Sequence, residues 1–486
     1  MEIRFVSKLA SDEKGAVQTA PFINNSVHYN SVHCFTINDR HLALDIHSGA
    51  IHLLDDTAYA ILTGNTKGHL SEIQAEALAE ARAEIEILTE KGQLFSPPRD
   101  ESGEISFTLN RNPLVKSLCL HMAHDCNLRC RYCFAGEGDY GALSKKSRTL
   151  MSPEIGKKAI DFIIENSGAR RNLEVDFFGG EPTLNFETVK IIVEYARVRE
   201  KEANKNFRFT FTTNGLLLDD DKIEYINRHM DNVVLSLDGR KEVNDRMRKT
   251  RSQNAVSCYD MVLPKFRELT EARGHQNYYM RGTYTRENLD FASDVLHMAD
   301  LGFSQISVEP VIASPDAEYA VQEEDIPALC KEYERLAGEM LCRSERDGGF
   351  NFFHFMLDLT NGPCVAKRIT GCGAGTEYLA VTPEGDLYPC HQFVGDERFR
   401  LGQLATDRLD PQIQEQFSQL NVYTKPECRE CWAKYFCSGG CAASAYLVNG
   451  DIAKPDLVSC ELQKKRIECA LYLYAMKYNT NPHLKP

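Results

Sequence analysis

From Leu114 to Val311 the chain alternates short apolar runs with longer amphipathic stretches, and this alternation limits the fold more than any other feature. Strands are expected at 114–122, 172–178, 206–213, 232–238, 277–285 and 304–311, with helices near 153–166, 186–201, 220–229, 256–271 and 288–301 between them. Strand and helix repeated in this way pack as βα units around a parallel sheet, so the fold class is α/β. Six units make a partial (β/α)6 barrel, whose ligand-binding groups belong on loops at the C-terminal ends of the strands. Those loops carry the most distinctive residues of the chain. The segment Cys126–Cys133 follows the first strand, Gly179-Gly180-Glu181-Pro182 the second, Thr213-Asn214-Gly215 the third and Ser236-Leu237-Asp238-Gly239 the fourth.

The first of these loops reads Cys-Asn-Leu-Arg-Cys-Arg-Tyr-Cys. Thiolates are soft ligands suited to iron–sulfur clusters, and three of them leave one iron of a four-iron cluster open for chemistry. Cysteine is unevenly placed elsewhere too: eleven of the seventeen fall within 126–133 or 364–460, whereas core thiols would scatter. The later group runs Cys372-x17-Cys390, then Cys428-x2-Cys431-x5-Cys437-x3-Cys441, then Cys460. A zinc ribbon on Cys428, Cys431, Cys437 and Cys441 has acceptable spacing but leaves Cys372, Cys390 and Cys460 without a role. Isolated cysteines such as Cys34, Cys119, Cys258, Cys330, Cys342 and Cys469 are expected to be buried small hydrophobes.

The start Met1-Glu2-Ile3-Arg4-Phe5 has no charged-then-apolar signal pattern, and no run of eighteen apolar residues occurs. A cytoplasmic protein without a membrane partner is therefore expected, and in that reducing compartment grouped thiols are metal ligands rather than disulfides. The net charge of −14 argues against a nucleic-acid partner, since phosphate binding needs a basic surface. Residues 1–24 are polar and without period, an expected arm. Val32–Ile37, His41–Ile46 and Ala50–Leu54 look like strands, the last two joined at His47-Ser48-Gly49, and two helical stretches follow. Ser96-Pro97-Pro98 then opens a linker.

Cys-x3-Cys-x2-Cys with Gly-Gly-Glu-Pro makes residues 112–311 resemble the radical S-adenosylmethionine (SAM) enzymes. The resemblance implies a [4Fe–4S] cluster on Cys126, Cys130 and Cys133 whose open iron chelates SAM. It also implies reductive cleavage of SAM to methionine and a 5′-deoxyadenosyl radical that takes hydrogen from substrate. Cofactor contacts are expected from Tyr132 against adenine, Gly179, Gly180, Glu181 and Pro182 around the methionine moiety, Ser236 and Asp238 at the ribose, and Asn214 and Glu309 at the same mouth. The glycines would let backbone approach the methionine without a Cβ clash.

The seven-cysteine array from Cys372 to Cys460, with Gly385 five positions before Cys390, resembles the SPASM extension of peptide maturases. It implies two auxiliary [4Fe–4S] clusters, three in all. Cys428, Cys431, Cys437 and Cys460 would close the distal one, and Cys372, Cys390 and Cys441 would bind the nearer one. Either Cys364 closes the nearer cluster or its iron stays open for a substrate thiolate. The small N-terminal module resembles the winged-helix-like element by which such maturases bind an extended leader peptide as an added strand.

The expected organisation is thus an arm (1–24), a peptide-recognition domain (25–98), a linker (99–111), the barrel (112–315), a bridging helical region (316–363) and a SPASM domain (364–486). Gly371–Tyr378 and Tyr388–Gly395 look like the thioether-forming maturases of six-cysteine (SCIFF) peptides, or ranthipeptides. This resemblance implies a sulfur-to-carbon crosslink in a cysteine-rich precursor peptide, with electrons from a ferredoxin or flavodoxin. His391 stands where sulfatase-activating relatives carry an aspartate base, and serves either as base or as a hydrogen-bond partner behind the site. A carbon–carbon or ether crosslink, or a side-chain oxidation like that of sulfatase maturases, is the alternative.

Overall fold

The computed structural model describes residues 3–5, 31–64, 75–98, 102, 114–136, 140, 149–251, 256–344, 348–357, 359, 369, 371–406 and 408–480. Cys364 lies outside them, as does most of the linker. The N-terminal module is a sheet of β1 (Ile3–Phe5), β2 (Val32–Ile37), β3 (Arg40–Asp45) and β4 (Ile51–Leu54), ordered β1-β4-β3-β2. Strands β2 to β4 form the expected antiparallel meander. The Asp45 carboxylate closes the turn into β4 by accepting from the Ser48 N–H at 2.9 Å, and Gly49 takes the positive φ of 76° that the turn needs.

One expectation is corrected here. Rather than being an arm throughout, the first residues pair Ile3–Phe5 in parallel with Ile51–Leu53, so the sheet has four strands. With β4 enclosed between β1 and β3, the edge strands of this sheet among the described residues are β1 and β2, and an open sheet edge can recruit extended chain.

Helix α1 (Asp56–Thr63) starts where the Asp55 carboxylate accepts from the Ala58 N–H at 2.7 Å, and ends at Gly64 in the left-handed region. With α2 (Ala75–Glu90) it buries Ala58, Ala81 and Leu88 in a small satellite core, while Phe35, Ile37, Leu42 and Leu44 join the main core. The module docks on the C-terminal region through β2. His33 stacks on Trp432 with ring centroids 3.8 Å apart and planes 10° from parallel, and its Nε2 lies 2.9 Å from Glu468. Trp432 is the only tryptophan of the chain. We expect His33→Ala to red-shift its emission and to cost about 1 kcal/mol in a denaturant titration. An unchanged emission maximum counts against this docking.

The barrel strands are β5 (Ser117–Ala123), β7 (Asn172–Gly179), β8 (Asn206–Thr213), β9 (Asn232–Ser236), β11 (Tyr278–Tyr284) and β12 (Gln305–Pro310). Two short strands, β6 (Leu128–Cys130) and β10 (Arg248–Thr250), pair with each other instead and were not expected. The barrel strands are all parallel, in the order β12-β11-β9-β8-β7-β5. Between them run α3 (Pro153–Asn166), α4 (Phe186–Glu202), α5 (Asp220–His229), α6 (Lys241–Met247), α7 (Cys258–Ala272) and α8 (Phe291–Asp300), of which α6 was not foreseen. Period-two alternation orients each strand. On β7, Leu173, Val175 and Phe177 are buried, while Glu174, Asp176 and Phe178 line cavities inside the barrel.

Helix α9 (Ile326–Ser344) leads through β13 (Asn351–Phe352), which extends the sheet beyond β12. At the opposite side, β14 (Tyr378–Val381) pairs in parallel with β5, and β15 (Asp386–Tyr388), β16 (Gly402–Gln403) and β17 (Arg408–Leu409) follow by antiparallel pairing. The C-terminal hairpin therefore continues the barrel sheet, which the sequence reading had kept apart. Cys372 and Cys390 lie on either side of this hairpin in sequence, and Cys390 faces Cys119 of β5. The last helix, α10 (Leu457–Thr480), packs along α9 and the N-terminal sheet. Among the described residues no helix is long and apolar enough to cross a membrane.

Candidate functional site

A cavity of about 290 Å³ opens at the C-terminal ends of the barrel strands. Cys126, Cys130, Cys133, Tyr132, Gly179, Gly180, Glu181, Pro182, Asn214, Ser236, Glu309 and His391 all line it. Residues from six separate loops or strand ends are thereby brought to one mouth. Asp238 is the exception among the candidates: it is fully buried and outside the lining.

The cysteine loop is pinned by the Gly-Gly-Glu-Pro loop. Gly180 N–H donates to the Ala123 carbonyl at 2.7 Å and Glu181 N–H to that of Asp125 at 2.9 Å. A Cβ on Gly180 would fall on the Asp125 carbonyl oxygen, and one on Gly179, whose φ is 115°, on that of Ala123. The glycines are thus required by the neighbouring loop, whereas the sequence reading gave them to the methionine moiety. The Glu181 carboxylate is likewise committed. It accepts from Thr183 Oγ1 at 2.6 Å, Thr183 N–H at 3.1 Å, Thr213 Oγ1 at 2.7 Å and Asn214 N–H at 2.8 Å, tying the second strand loop to the third. That leaves the backbone carbonyls of this loop, not the carboxylate, to receive an ammonium group.

Asp238 also departs from expectation. Tyr132 Oη donates to both of its oxygens at 2.8 and 2.7 Å, the Thr283 N–H donates at 3.0 Å, and Arg248 Nε lies 3.1 Å away. Asp238 therefore holds Tyr132 and Arg248 in place instead of reaching a ribose, and Ser236 remains the hydroxyl-facing candidate on that strand. Asn214 sits closer to the metal ligands than expected, its Nδ2 donating to Cys126 Sγ at 3.6 Å and to Asn127 Oδ1 at 2.7 Å. Such N–H···S contacts tune a cluster's potential.

The cysteines of the second array come together in two places. Cys428, Cys431, Cys437 and Cys460 line one cavity of about 90 Å³. Burial pushes Cys428 up to about 11 and Cys460 up to about 12, with the other thiols of the set adding to the rise. Cys390 is buried and faces Cys441 and Cys372, and burial again raises its thiol. In the first loop, burial lifts Cys126 to about 12, and Glu181 and Cys133 add to the rise. Desolvated thiols grouped in this way ionise only when a metal takes the proton's place. Among the described residues, no three His, Cys, Asp or Glu groups converge tightly enough for one ion. Cys460, and not Cys441, shares the cavity of Cys428, Cys431 and Cys437.

His391 lines the main cavity next to Cys390. Its Nδ1 lies 3.1 Å from Tyr378 Oη, and its ring lies 5.0 Å from Phe178 and 5.2 Å from Phe134. Burial, aided by Arg281, pushes it down to about 4, so the ring is neutral at physiological pH. The sequence reading missed Asp176, Arg281 and Tyr378. The first two could have been found as charged residues at inward positions of strands whose alternate residues are apolar.

Residues 120–276 match the radical SAM superfamily, and residues 372–432 match the SPASM iron–sulfur cluster-binding domain. This is a radical SAM fold with a C-terminal SPASM domain. Among curated relatives, mycofactocin maturase MftC of Mycolicibacterium smegmatis is 23% identical over 367 residues, covering 72% of this chain and 86% of the relative. The cysteine-type anaerobic sulfatase-maturating enzyme of Clostridium perfringens is 23% identical over 354 residues, covering 68% and 89%. Among solved structures, anSMEcpe with bound AdoMet superposes with a TM-score of 0.62 at 20% identity, covering 75% of this chain and 96% of that one. Streptococcus suis SuiB bound to S-adenosylmethionine gives 0.50 at 16% identity, covering 88% and 98%. The cofactors of the radical SAM and SPASM domains are SAM and multiple [4Fe–4S] clusters, and the thiol cradles above fit such clusters.

Proposed function

We propose that this radical SAM/SPASM protein is a peptide maturase that installs thioether crosslinks in a cysteine-rich, ribosomally made precursor. One observation carries this reading: the cavity lined by Cys126, Cys130 and Cys133 is also lined by His391, the neighbour of Cys390 in the second thiol set. A substrate residue there lies against the first cysteine set and against His391, next in sequence to Cys390. The activities named for the relatives, mycofactocin maturation and sulfatase maturation, lend support, as does the radical SAM cyclopropyl synthase TigE, 22% identical over 379 residues.

In this reading Cys126, Cys130 and Cys133 hold the cluster that binds SAM, and Cys428, Cys431, Cys437 and Cys460 hold the distal auxiliary cluster. Cys372, Cys390 and Cys441 hold the nearer one, with Cys364 or a substrate thiolate as its remaining ligand. Bound SAM and reduced iron–sulfur supply hydrogen abstraction from an unactivated carbon. The chain itself supplies the rest. Asp238 fixes the Tyr132 hydroxyl, Glu181 locks the two loops that frame the methionine end, and Tyr378 orients His391 toward the cavity. Phe134 and Phe178 flank that ring. The N-terminal sheet receives the leader as an added strand, and a ferredoxin or flavodoxin delivers electrons in the cytoplasm.

The test is anaerobic co-expression with a short cysteine-rich peptide encoded beside this gene, followed by mass spectrometry. Loss of two hydrogens per event, with an equal number of cysteines resisting alkylation, is the expected result. The same loss with every cysteine alkylated would move the product to a carbon–carbon or ether link.

A further inference from the structure

The main cavity holds a carboxylate that no cofactor contact uses. Three carboxylates line it among the described residues: Asp176, Glu181 and Glu309. Glu181 is saturated by its donors, as above. Glu309 is paired with Arg281, Oε2 to Nη2 at 2.7 Å. Asp176 accepts a single contact, from Thr212 Oγ1 to Oδ1 at 3.2 Å. Its strand lies directly beside β5, which leads into the cysteine loop, and two residues on Phe178 packs against His391. Arg281, half-exposed to the lumen, faces Asp176 from β11. Cys119 faces it from β5 and Tyr378 from β14, and these two are hydrogen-bonded to each other.

We propose that Asp176 is the proton acceptor of the reaction, taking the hydrogen of the substrate's S–H group as that sulfur is readied for bond formation. The proton passes to a carboxylate oxygen, the electron pair of the S–H bond stays on sulfur, and no redox change accompanies the step. Asp176 then returns the proton to solvent through the open lumen. Arg281 is the positioning partner, opposite in charge and on the far wall.

The electrostatic setting agrees with this geometry. Burial raises the Asp176 carboxyl to about 7, with Thr212 and Arg281 opposing the rise. Of its other neighbours, Cys119 and Tyr378 are both pushed up by burial, so neither competes for its proton. A base that titrates near neutrality suits proton transfer at cellular pH. The sign for stability is also fixed. With a folded value above the unfolded one, the native state binds the extra proton at low pH, and stability falls as pH rises from about 4 through about 7.

This inference rests on the thioether reading, and its test separates the two. On the peptide that the wild-type holoenzyme crosslinks, Asp176→Asn should lower crosslinking about 100-fold or more. SAM binding and iron content should be unchanged, and at pH 8 the variant should melt no lower than the wild type. Asp176→Glu should recover part of the rate, and the wild-type rate should rise with pH through about 7. Undiminished crosslinking in Asp176→Asn overturns the proposal, as does loss of SAM binding or iron, which would mark a structural role. A peptide left untouched by the wild type would count against the thioether reading alone. Peptide-free infrared difference spectra between wild type and Asp176→Asn then decide. A carboxyl band fading near neutrality supports the proposal, and a carboxylate ionised throughout pH 5–8 overturns it.

Discussion

Replacing Cys126, Cys130 and Cys133 together by alanine is expected to abolish reductive cleavage of SAM while leaving iron on the C-terminal cysteines. The three thiols line one wall of the main cavity, and no other cysteine lines it among the described residues. The four thiols Cys428, Cys431, Cys437 and Cys460 surround a cavity of their own. Separate cradles predict separate loading. In a reconstituted, dithionite-reduced preparation, methionine and 5′-deoxyadenosine should fall to background, because these three thiols are the cysteines that line the main cavity among the described residues. Iron per chain should fall by one cluster's share, and the electron paramagnetic resonance signal of the auxiliary clusters should remain. Loss of all iron would instead mean that the cradles form only together, through the shared sheet joining β5 to β14.

The second large effect is expected at Asp238. Its carboxylate is fully buried, receives Tyr132 Oη on both oxygens and faces the nearly buried Arg248 guanidinium at 3.1 Å. Asp238→Ala strands a buried cation and releases a buried hydroxyl. Removing one partner of such a pair costs about 3–5 kcal/mol, far more than an exposed ion pair is worth. The denaturant midpoint should drop accordingly. SAM affinity should weaken as well, since Tyr132 lies between Cys130 and Cys133 and lines the cavity. Asp238→Asn, which keeps an acceptor for the tyrosine, should cost less. Equal effects from the two variants would show that charge, not the tyrosine contact, dominates at this position.

The six barrel strands were legible because their outward residues are apolar at period two and their helices apolar at period 3.6. Phe207, Phe209 and Phe211 on β8 are examples, each fully or almost fully buried. The cysteine sets were legible because metal ligands keep short spacings in sequence. What escaped was nonlocal. Nothing in Tyr378–Val381 announces that it will pair with Ser117–Leu120 rather than close a separate sheet. Ile3–Phe5 is three residues long, too short for a period to show. For Glu181 and Asp238, motif position says that a carboxylate sits at the mouth, whereas its hydrogen-bond partners decide whether it faces the ligand. Asp176 carries no motif spacing, and its only signal is a charge at an inward position of a strand whose alternate residues Leu173, Val175 and Phe177 are apolar.

The most direct test of the account is peptide-dependent turnover in the reconstituted holoenzyme, reading 5′-deoxyadenosine and peptide mass in the same samples. The account predicts that the precursor peptide accelerates 5′-deoxyadenosine formation. One molecule should appear for every two hydrogens the peptide loses, and each event should remove one cysteine from the alkylatable pool. Formation of 5′-deoxyadenosine at a rate indifferent to the peptide, with the peptide mass unchanged, would contradict it.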